Sequence, residues 1–145
     1  MIDWKSYKKP IVALAPMADM SDLPFCLVSK EVGVPLMFRE MVSSEAIVRL
    51  NPKTLKMAMF DERERPLVQQ VFGANPEVMA EAARIIYERF KPDALDINMG
   101  CPVQKALRHN YGVALMGDST YAAEVVAMPT KVARVLGETA GWTGC

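Results

Sequence analysis

The stretch Asp96-Ile97-Asn98-Met99-Gly100-Cys101-Pro102 decides how the rest of this sequence is interpreted. A short apolar run, Ala94–Ile97, leads into an amide, a glycine, a thiol and a proline. This order is typical of a buried strand that delivers polar groups to its carboxyl end, where α/β folds place their chemistry. Gly100 allows a sharp turn, and Pro102 favours an extended conformation for Cys101. We therefore expect the Cys101 thiol at a stiff corner after a strand.

Local features alone leave a structural role open for each polar residue of this region. Cysteine is among the most buried residue types, so packing is the commoner role for a lone Cys101. Asn98 could cap the turn, and Gln70, near the end of an earlier apolar run, could satisfy loop backbone. The neighbouring motifs must therefore decide between structure and chemistry.

Further apolar runs precede this stretch and predict three more buried strands. They cover residues 10–15, 36–38 and 67–72, with Glu40 and Ser43 expected in the loop after the second run. Continuous apolar runs of this length are typical of parallel strands that are covered on both faces.

Helices are predicted between these runs from their start and stop signals. Ser21 or Asp22 can cap a helix through about residue 32, and Gly33 follows as a stop signal. Two short helical pieces, 43–50 and 53–59, are separated by an Asn-Pro break. The strongest helix begins after Asn75 and buries one stripe of residues: Met79, Ala82, Ala83, Ile86 and Phe90.

Alternation of strands and helices predicts a parallel sheet with crossover helices. A doubly wound sheet and a β/α barrel both fit this pattern. No glycine-rich dinucleotide fingerprint follows the first run, because Ala15-Pro16-Met17-Ala18 stands there, and this weakens the doubly wound option. A barrel takes about 250 residues, so this chain of 145 residues could form only its first half.

Composition describes an ordinary globular chain and excludes several classes. The sequence is 51% hydrophobic and carries 17 basic and 17 acidic residues, so no bulk charge favours nucleic acid or a membrane surface. The three cysteines are far apart and accompany a single histidine, which indicates neither a metal site nor a disulfide framework. With no signal peptide and no membrane-length apolar run in the sequence, we expect a cytoplasmic protein that has no contact with the membrane.

Several motifs, in this order and spacing, resemble the flavin-dependent tRNA-dihydrouridine synthases. The likeness covers roughly residues 10–118. The motifs are Ala15-Pro16-Met17-Ala18-Asp19-Met20-Ser21-Asp22-Leu23-Pro24-Phe25, Phe38-Arg39-Glu40-Met41-Val42-Ser43, Gln70-Val71-Phe72-Gly73, the opening stretch with Lys105, and Gly112-Val113-Ala114-Leu115-Met116. Each motif is weak alone, and their combination is specific.

The resemblance implies an FMN-bearing TIM (β/α)8 barrel that is followed by a small helical domain. Such an enzyme reduces the C5–C6 double bond of selected uridines in tRNA and uses NADPH to recharge the flavin. Carried over by position, Cys101 would be the proton donor, Asn98 would help to hold the target uracil, and Gln70 would bond the isoalloxazine edge.

The remaining implied contacts belong to two loops. Pro16, Met17 and Ala18 would lie along the flavin. Lys105 and Arg108 follow the thiol and could meet tRNA phosphates, although two cations on a loop are usually just solvated. The residue types suit this chemistry. A thiol with an ordinary pKa of about 8.5 keeps its proton at neutral pH, and neutral amides match the mixed donor and acceptor edges of flavin and uracil.

The carboxyl end of the sequence departs from the family's pattern. The family carries a flavin-contacting lysine in a Lys-x-Arg-x-Gly strand, whereas residues 129–137 have neither that spacing nor strand alternation. We interpret Lys131 as an ordinary residue of a helix that Pro129 interrupts and give it no role. Cys26 also stands where the family usually has arginine, and Asn110-Tyr111 replaces a glycine-containing approach to Gly112.

We therefore expect residues 1–145 to be a partial FMN-binding barrel that lacks its carboxyl half, most of the phosphate site and the helical domain. Such a chain is expected to be inactive alone and to self-associate through unpaired sheet edges. Two alternatives stay open: another flavin barrel, of the dihydropyrimidine or dihydroorotate dehydrogenase type, and an inactive remnant or association module without flavin.

Overall fold

The computed structural model describes residues 9–139, and side-chain burial through Val132. Three parallel strands form one sheet: β1 (Met37–Ser43), β2 (Leu67–Phe72) and β3 (Ala94–Ile97). Each strand lies beside the strand that follows it in the sequence, in the order β1-β2-β3. This consecutive order with crossover helices is that of the amino-terminal part of a β/α barrel, and the predicted fold class is confirmed.

The two helices for which a cap was predicted begin at those residues. Asp22 Oδ1 accepts a hydrogen bond from Phe25 N at 3.2 Å, and Asn75 Oδ1 accepts one from Val78 N at 2.9 Å. Gly33, with φ +91°, follows the first helix as predicted. The helices are α1 (Leu23–Glu31), α2 (Ser44–Val48), α3 (Pro52–Met57), α4 (Pro76–Phe90), α5 (Gln104–Arg108) and α6 (Ser119–Thr139), with 3₁₀ turns at Glu62–Glu64 and Gly112–Gly117.

The prediction of a buried strand at residues 10–15 is wrong. Only Leu14 bridges to Met37, where Leu14 N donates to Leu36 O at 2.9 Å and Phe38 N donates to Leu14 O at 3.2 Å. Ile11 is 36% exposed and Val12 is 61% exposed. The apolar run therefore pairs at one position only, because no element among residues 9–139 covers the rest of it.

The second strand is longer than predicted. Glu40 and Ser43 were expected in a loop but belong to β1, whose pairing with β2 shifts register between Arg39 and Val42. The polar residues could stay in the strand because the buried Arg39 is paired. Arg39 Nη1 bonds Glu64 Oε2 at 2.8 Å, and Arg39 Nη2 donates to the Met57 and Met59 carbonyls.

Helices cover one face of the sheet and form the main core there. Helix α4 shares a core cluster with residues of β1 and β2, and it packs against α2 and α6. The predicted stripe is confirmed, since four of its residues are buried and Phe90 packs at the margin. This core contains Val42, Ile47, Val71, Met79, Ala82, Ile85, Ile86, Leu115 and Val125. Because side chains alternate along a strand, Gln70 lies on the opposite face from Val71.

The carboxyl-terminal segment forms one helix, α6, which continues through Pro129. The interpretation of Lys131 as a residue of a helix is confirmed, and its side chain is exposed, whereas the expected interruption at Pro129 is wrong. A proline inside a helix loses one backbone hydrogen bond, and the remaining turns of this helix continue without it. No strand occupies residues 119–139 in the structure.

Candidate active site

A cavity of about 290 Å³ lies at the carboxyl end of the sheet and gathers residues from four separate motifs. The loop before α1, the bulge of β1, the end of β2 and the turn after β3 all contribute to its wall. The lining residues are Pro16, Ala18, Met41, Gln70, Asn98, Gly100 and Cys101.

Five of the eight predicted site residues line this cavity. Met17 lies in the same loop but is absent from the lining. Lys105 and Arg108 are exposed on α5 and do not reach the lining either. Neutral groups therefore converge on the cavity, and the two predicted cations lie on the short helix that follows Cys101.

A larger groove of about 570 Å³ lies elsewhere, between α3 and the last residues of α4. Its wall is mostly apolar, and none of the motif residues contributes to it. The smaller cavity is the candidate site, because convergent polar groups at the carboxyl ends of parallel strands mark the functional end of this fold.

The loop that carries Pro16 is held by two side chains. The buried Ser21 hydroxyl accepts from Met17 N at 2.8 Å and donates to Met17 O at 2.9 Å. Glu40 Oε2 accepts from Asp19 N at 3.0 Å, and Asp19 adopts φ +59°. Met17 therefore contributes its backbone N–H and carbonyl to the loop structure, and the Ser21 side chain holds both groups.

Glu40 is itself fixed to both neighbouring segments. Gln69 Nε2 donates to Glu40 O at 2.9 Å, and Glu40 N donates to Ser21 O at 3.4 Å. Glu40 is 7% exposed, so its carboxylate is taken largely out of water and held by a backbone N–H. This residue ties the Pro16 loop to the sheet.

Two amides and a carboxylate form a continuous series beneath the cavity. Gln70 Nε2 donates to Asp96 Oδ2 at 2.5 Å, and Asn98 Nδ2 donates to Gln70 Oε1 at 2.9 Å. Asn98 Oδ1 accepts from Cys101 N at 3.1 Å. We call these three bonds the amide relay. It joins Asp96 in β3 to the backbone of the thiol residue.

The Cys101 corner is pinned from a second side by the 3₁₀ turn that begins at Gly112. Val113 N donates to Cys101 O at 3.1 Å. A Cβ atom at Gly112 would stand 2.6 Å from Cys101 O, and Gly112 adopts φ +63°, so only glycine fits there.

Tyr111 packs on Phe72 with ring centroids 4.7 Å apart. Burial, and then the charge of a Cys101 thiolate, raise the pKa of Tyr111.

The two described cysteines have opposite environments. Cys26 is 0% exposed in a cluster with Met37 and Leu67, and burial raises the pKa of its thiol to about 11. Cys101 is partly exposed at the cavity. Cys145 lies outside the described residues. Of the two described thiols, Cys101 is therefore the one that a substrate can reach.

Three residues of the site were missed by sequence reasoning. Met41 lines the cavity, Glu40 holds the Pro16 loop, and Asp96 begins the amide relay. The bulge that brings Glu40 and Met41 to the site left no recognisable sequence signal. Asp96 did leave one, because a carboxylate inside an apolar strand needs a partner.

Other site types find no support among residues 9–139. No group of three or more histidine, cysteine or acidic side chains there could hold a metal ion. None of the described helices has the length and apolar character needed to cross a bilayer.

Fold and site together define an α/β protein of the β/α-barrel class, with its polar site at the carboxyl ends of consecutive parallel strands. A family model described as "Dihydrouridine synthase (Dus)" matches residues 13–135. The chain belongs to the dihydrouridine synthase family.

Curated relatives carry the same description. A probable tRNA-dihydrouridine synthase of Aquifex aeolicus (strain VF5) is 38% identical over 121 residues, which are 83% of this chain and 38% of the relative. One of Treponema pallidum (strain Nichols) is 39% identical over 115 residues, 79% of this chain and 34% of the relative. The tRNA-dihydrouridine synthase B of Pseudomonas aeruginosa (strain PAO1) is 34% identical over 113 residues, which are 78% of this chain and 34% of the relative. The matched part of this chain thus spans between a third and two fifths of these relatives.

Proposed function

We propose that this chain carries the ring-binding and proton-donating part of a tRNA-dihydrouridine synthase. The reaction is the FMN-dependent reduction of the C5–C6 double bond of uridine in tRNA, with NADPH as reductant. One observation carries the proposal: Gln70, Asn98 and Cys101 share a single cavity with the Pro16 loop at the carboxyl end of the sheet. Membership of the family supports the reaction class.

The cavity suits a flat, neutral heterocycle. Pro16 and Met41 form apolar parts of the wall. In the amide relay, the Gln70 and Asn98 amides each donate one hydrogen bond and accept one. Each amide thus retains one donor and one acceptor for a ligand, as the edges of an isoalloxazine or a uracil require. The lining contains no cation, so these residues would hold the flavin ring and leave its phosphate to other groups.

The chemistry then divides between the cofactor and the thiol. FMN held by these residues, once reduced by NADPH, would supply a hydride for C6 of the uracil. The Cys101 Sγ donates its proton to C5, so that one hydride and one proton add across the double bond, and the resulting thiolate recovers a proton from solvent. Asn98 orients the uracil, and Gln70 orients the isoalloxazine edge. Partial exposure of Cys101 allows both the donation and the recovery.

The partners follow from the substrate. A uracil that is stacked in folded tRNA must be extruded before it can enter a cavity of this size. Lys105 and Arg108, exposed on α5 after the thiol, are placed to meet phosphates of the tRNA. We further propose a cytoplasmic location, where tRNA and NADPH are available, and self-association of the isolated chain through its uncovered sheet edges.

Ring binding is tested by titrating the purified chain with FMN and with lumiflavin, which has the ring but no phosphate. Because the lining is neutral, we expect dissociation constants within about tenfold of each other. Gln70→Leu should weaken both by about five- to tenfold, the scale of one or two hydrogen bonds. A chain that takes up neither flavin contradicts the proposal and supports the inactive remnant.

The thiol's role is tested where a whole barrel is available, by grafting residues 13–135 into the Aquifex aeolicus relative. The chimera should form dihydrouridine in tRNA, and Cys101→Ala should lower the rate about 100-fold or more, as expected for a lost general acid. Cys26→Ala is the matched control and should leave the rate unchanged. A flavin-loaded chimera that reduces free uracil or acts on dihydroorotate, and leaves tRNA untouched, would favour the pyrimidine dehydrogenase alternative.

A further inference from the structure

The amide relay has a direction that its two ends determine. At one end stands the Asp96 carboxylate, which in its ionised form can only accept hydrogen bonds. At the other end stands the Cys101 peptide N–H, which can only donate. Gln70 and Asn98 lie between these ends, so each amide must point its nitrogen toward Asp96 and its oxygen toward Cys101.

Reversal of either amide would place like groups against each other. A flipped Gln70 would set its oxygen against the Asp96 carboxylate, and a flipped Asn98 would set its NH₂ group against the Cys101 N–H. An unsatisfied polar group in a partly buried site is costly, so neither reversal competes with the observed arrangement. The relay therefore determines which donor and which acceptor each amide keeps for a ligand.

Asp96 does not line the cavity, so it acts only through the residues that do. Its bond to Gln70 crosses from β3 to β2, where Gln70 and Asp96 are register partners. A hydrogen bond to an ionised group is about twice as strong as a neutral one and polarises the bonds that follow it. The effect of the carboxylate thus reaches Asn98 and the Cys101 backbone.

We propose that Asp96 is the positioning residue of this site, which orients the Gln70 and Asn98 amides and steadies the Cys101 corner through the amide relay. The catalytic importance of Asp96 rests on the proposed function, whereas the hydrogen bonds of the amide relay are independent of it. Asp93 makes a useful contrast. That carboxylate binds Leu67 N and Arg65 at the start of the strands and holds the sheet together.

The test measures the thiol without flavin or tRNA. Cys101 of the full chain is alkylated with iodoacetamide, and peptide mass spectrometry separates it from the other two cysteines. Asp96→Leu removes the acceptor, so the Cys101 corner should loosen and its alkylation should accelerate by about fivefold, the scale of one lost hydrogen bond. Asp96→Asn keeps an oxygen for Gln70 Nε2 and should stay within about twofold of the wild type.

Two further variants separate the relay from a general loss of structure. Asp118→Asn is the matched control, because Asp118 Oδ1 caps α6 by accepting from Tyr121 N and asparagine caps equally well. Gln70→Leu cuts the relay from its middle and should reproduce the faster alkylation even if Asp96→Leu fails to fold. In the Gln70→Leu background, a second change at Asp96 should add nothing.

The inference is overturned if folded Asp96→Leu keeps the wild-type alkylation rate, or if Asp96 and Gln70 act additively. FMN titration of the same variants keeps the two proposals apart. Altered alkylation in a chain that binds no flavin would uphold the relay and contradict the proposed function. Unaltered alkylation in a chain that binds FMN would contradict the relay alone.

Discussion

Burial separates the two cysteines whose environments the structure describes. Cys26 has the packing role that is ordinary for the residue type, with its thiol inside the Met37 and Leu67 cluster. Cys101 stands at a corner that Asn98 and Gly112 both restrain. The same side chain is therefore a buried hydrophobe at one position and an accessible thiol in the cavity wall at the other.

The buried thiol predicts a pH dependence of stability. Burial raises the pKa of Cys26 from 9.0 to about 11, so between these values the unfolded chain has lost a proton that the folded chain keeps. Unfolding then releases a proton, and the free energy of unfolding falls as pH rises through this window. We expect Cys26 to account for a loss on the order of 2 kcal/mol.

Urea denaturation from pH 8 to pH 11, followed by circular dichroism under reducing conditions, measures this effect. The wild type should lose stability more steeply than Cys26→Ala across the alkaline range, although the variant starts lower because it leaves a small cavity. Parallel curves for the two proteins would show that Cys26 does not ionise with unfolding.

Residue positions could be predicted where a polar group follows an apolar run. Gln70 stands in the second half of β2, whereas Asn98 and Cys101 follow β3, and the apolar runs of the sequence are enough to locate both strands. Met41 could not be predicted, because it reaches the cavity through a bulge in β1 that depends on distant partners. Polar residues near strand ends can be recognised from the local sequence, whereas the position of a bulge cannot.

At the scale of elements, the helix caps are the strongest local signals in the chain. Asn75→Ala should lower the free energy of unfolding by about 1 kcal/mol, because it removes the oxygen that accepts from Val78 N at the start of α4. Asn75→Ser keeps such an oxygen and should cost only a few tenths. Equal stability of the two variants in urea denaturation would contradict the capping role.

The helices α1 and α4 and the strands β2 and β3 were predicted closely, since each has a cap, a stop signal or an unbroken apolar run. The strand β1 was predicted too short because Arg39 and Glu40 are charged and indicate a loop. Arg39 is neutralised by Glu64, 25 residues later, and a pairing over that separation leaves no local signal. The first apolar run failed for the opposite reason: its composition suits a strand, but it lacks partners.

At the scale of the whole molecule, the sheet has uncovered margins. The four residues of β3 are all partly exposed, and no further strand among residues 9–139 pairs with its outer edge. At the other margin Val12 is 61% exposed beside the Leu14 bridge. Edges of this kind readily pair with another copy of the same chain.

We therefore expect sedimentation velocity to show concentration-dependent association of the isolated chain. Val12→Lys places a charge at one margin and should shift the distribution toward monomer. Val32→Lys is the matched control, because Val32 is 77% exposed at the C-cap of α1 and belongs to no strand, so this change should leave the distribution unchanged. A chain that sediments as a monomer at every concentration would contradict this expectation.

The three contacts of Glu40 have one more consequence. Its carboxylate, its N–H and its carbonyl join the Pro16 loop, β1 and β2, so the wall of the cavity is assembled when the chain folds. A flat ligand that binds against Pro16 therefore does not have to order a mobile loop. Binding then carries no entropy cost for ordering this loop, a cost that would weaken the affinity if the loop were mobile.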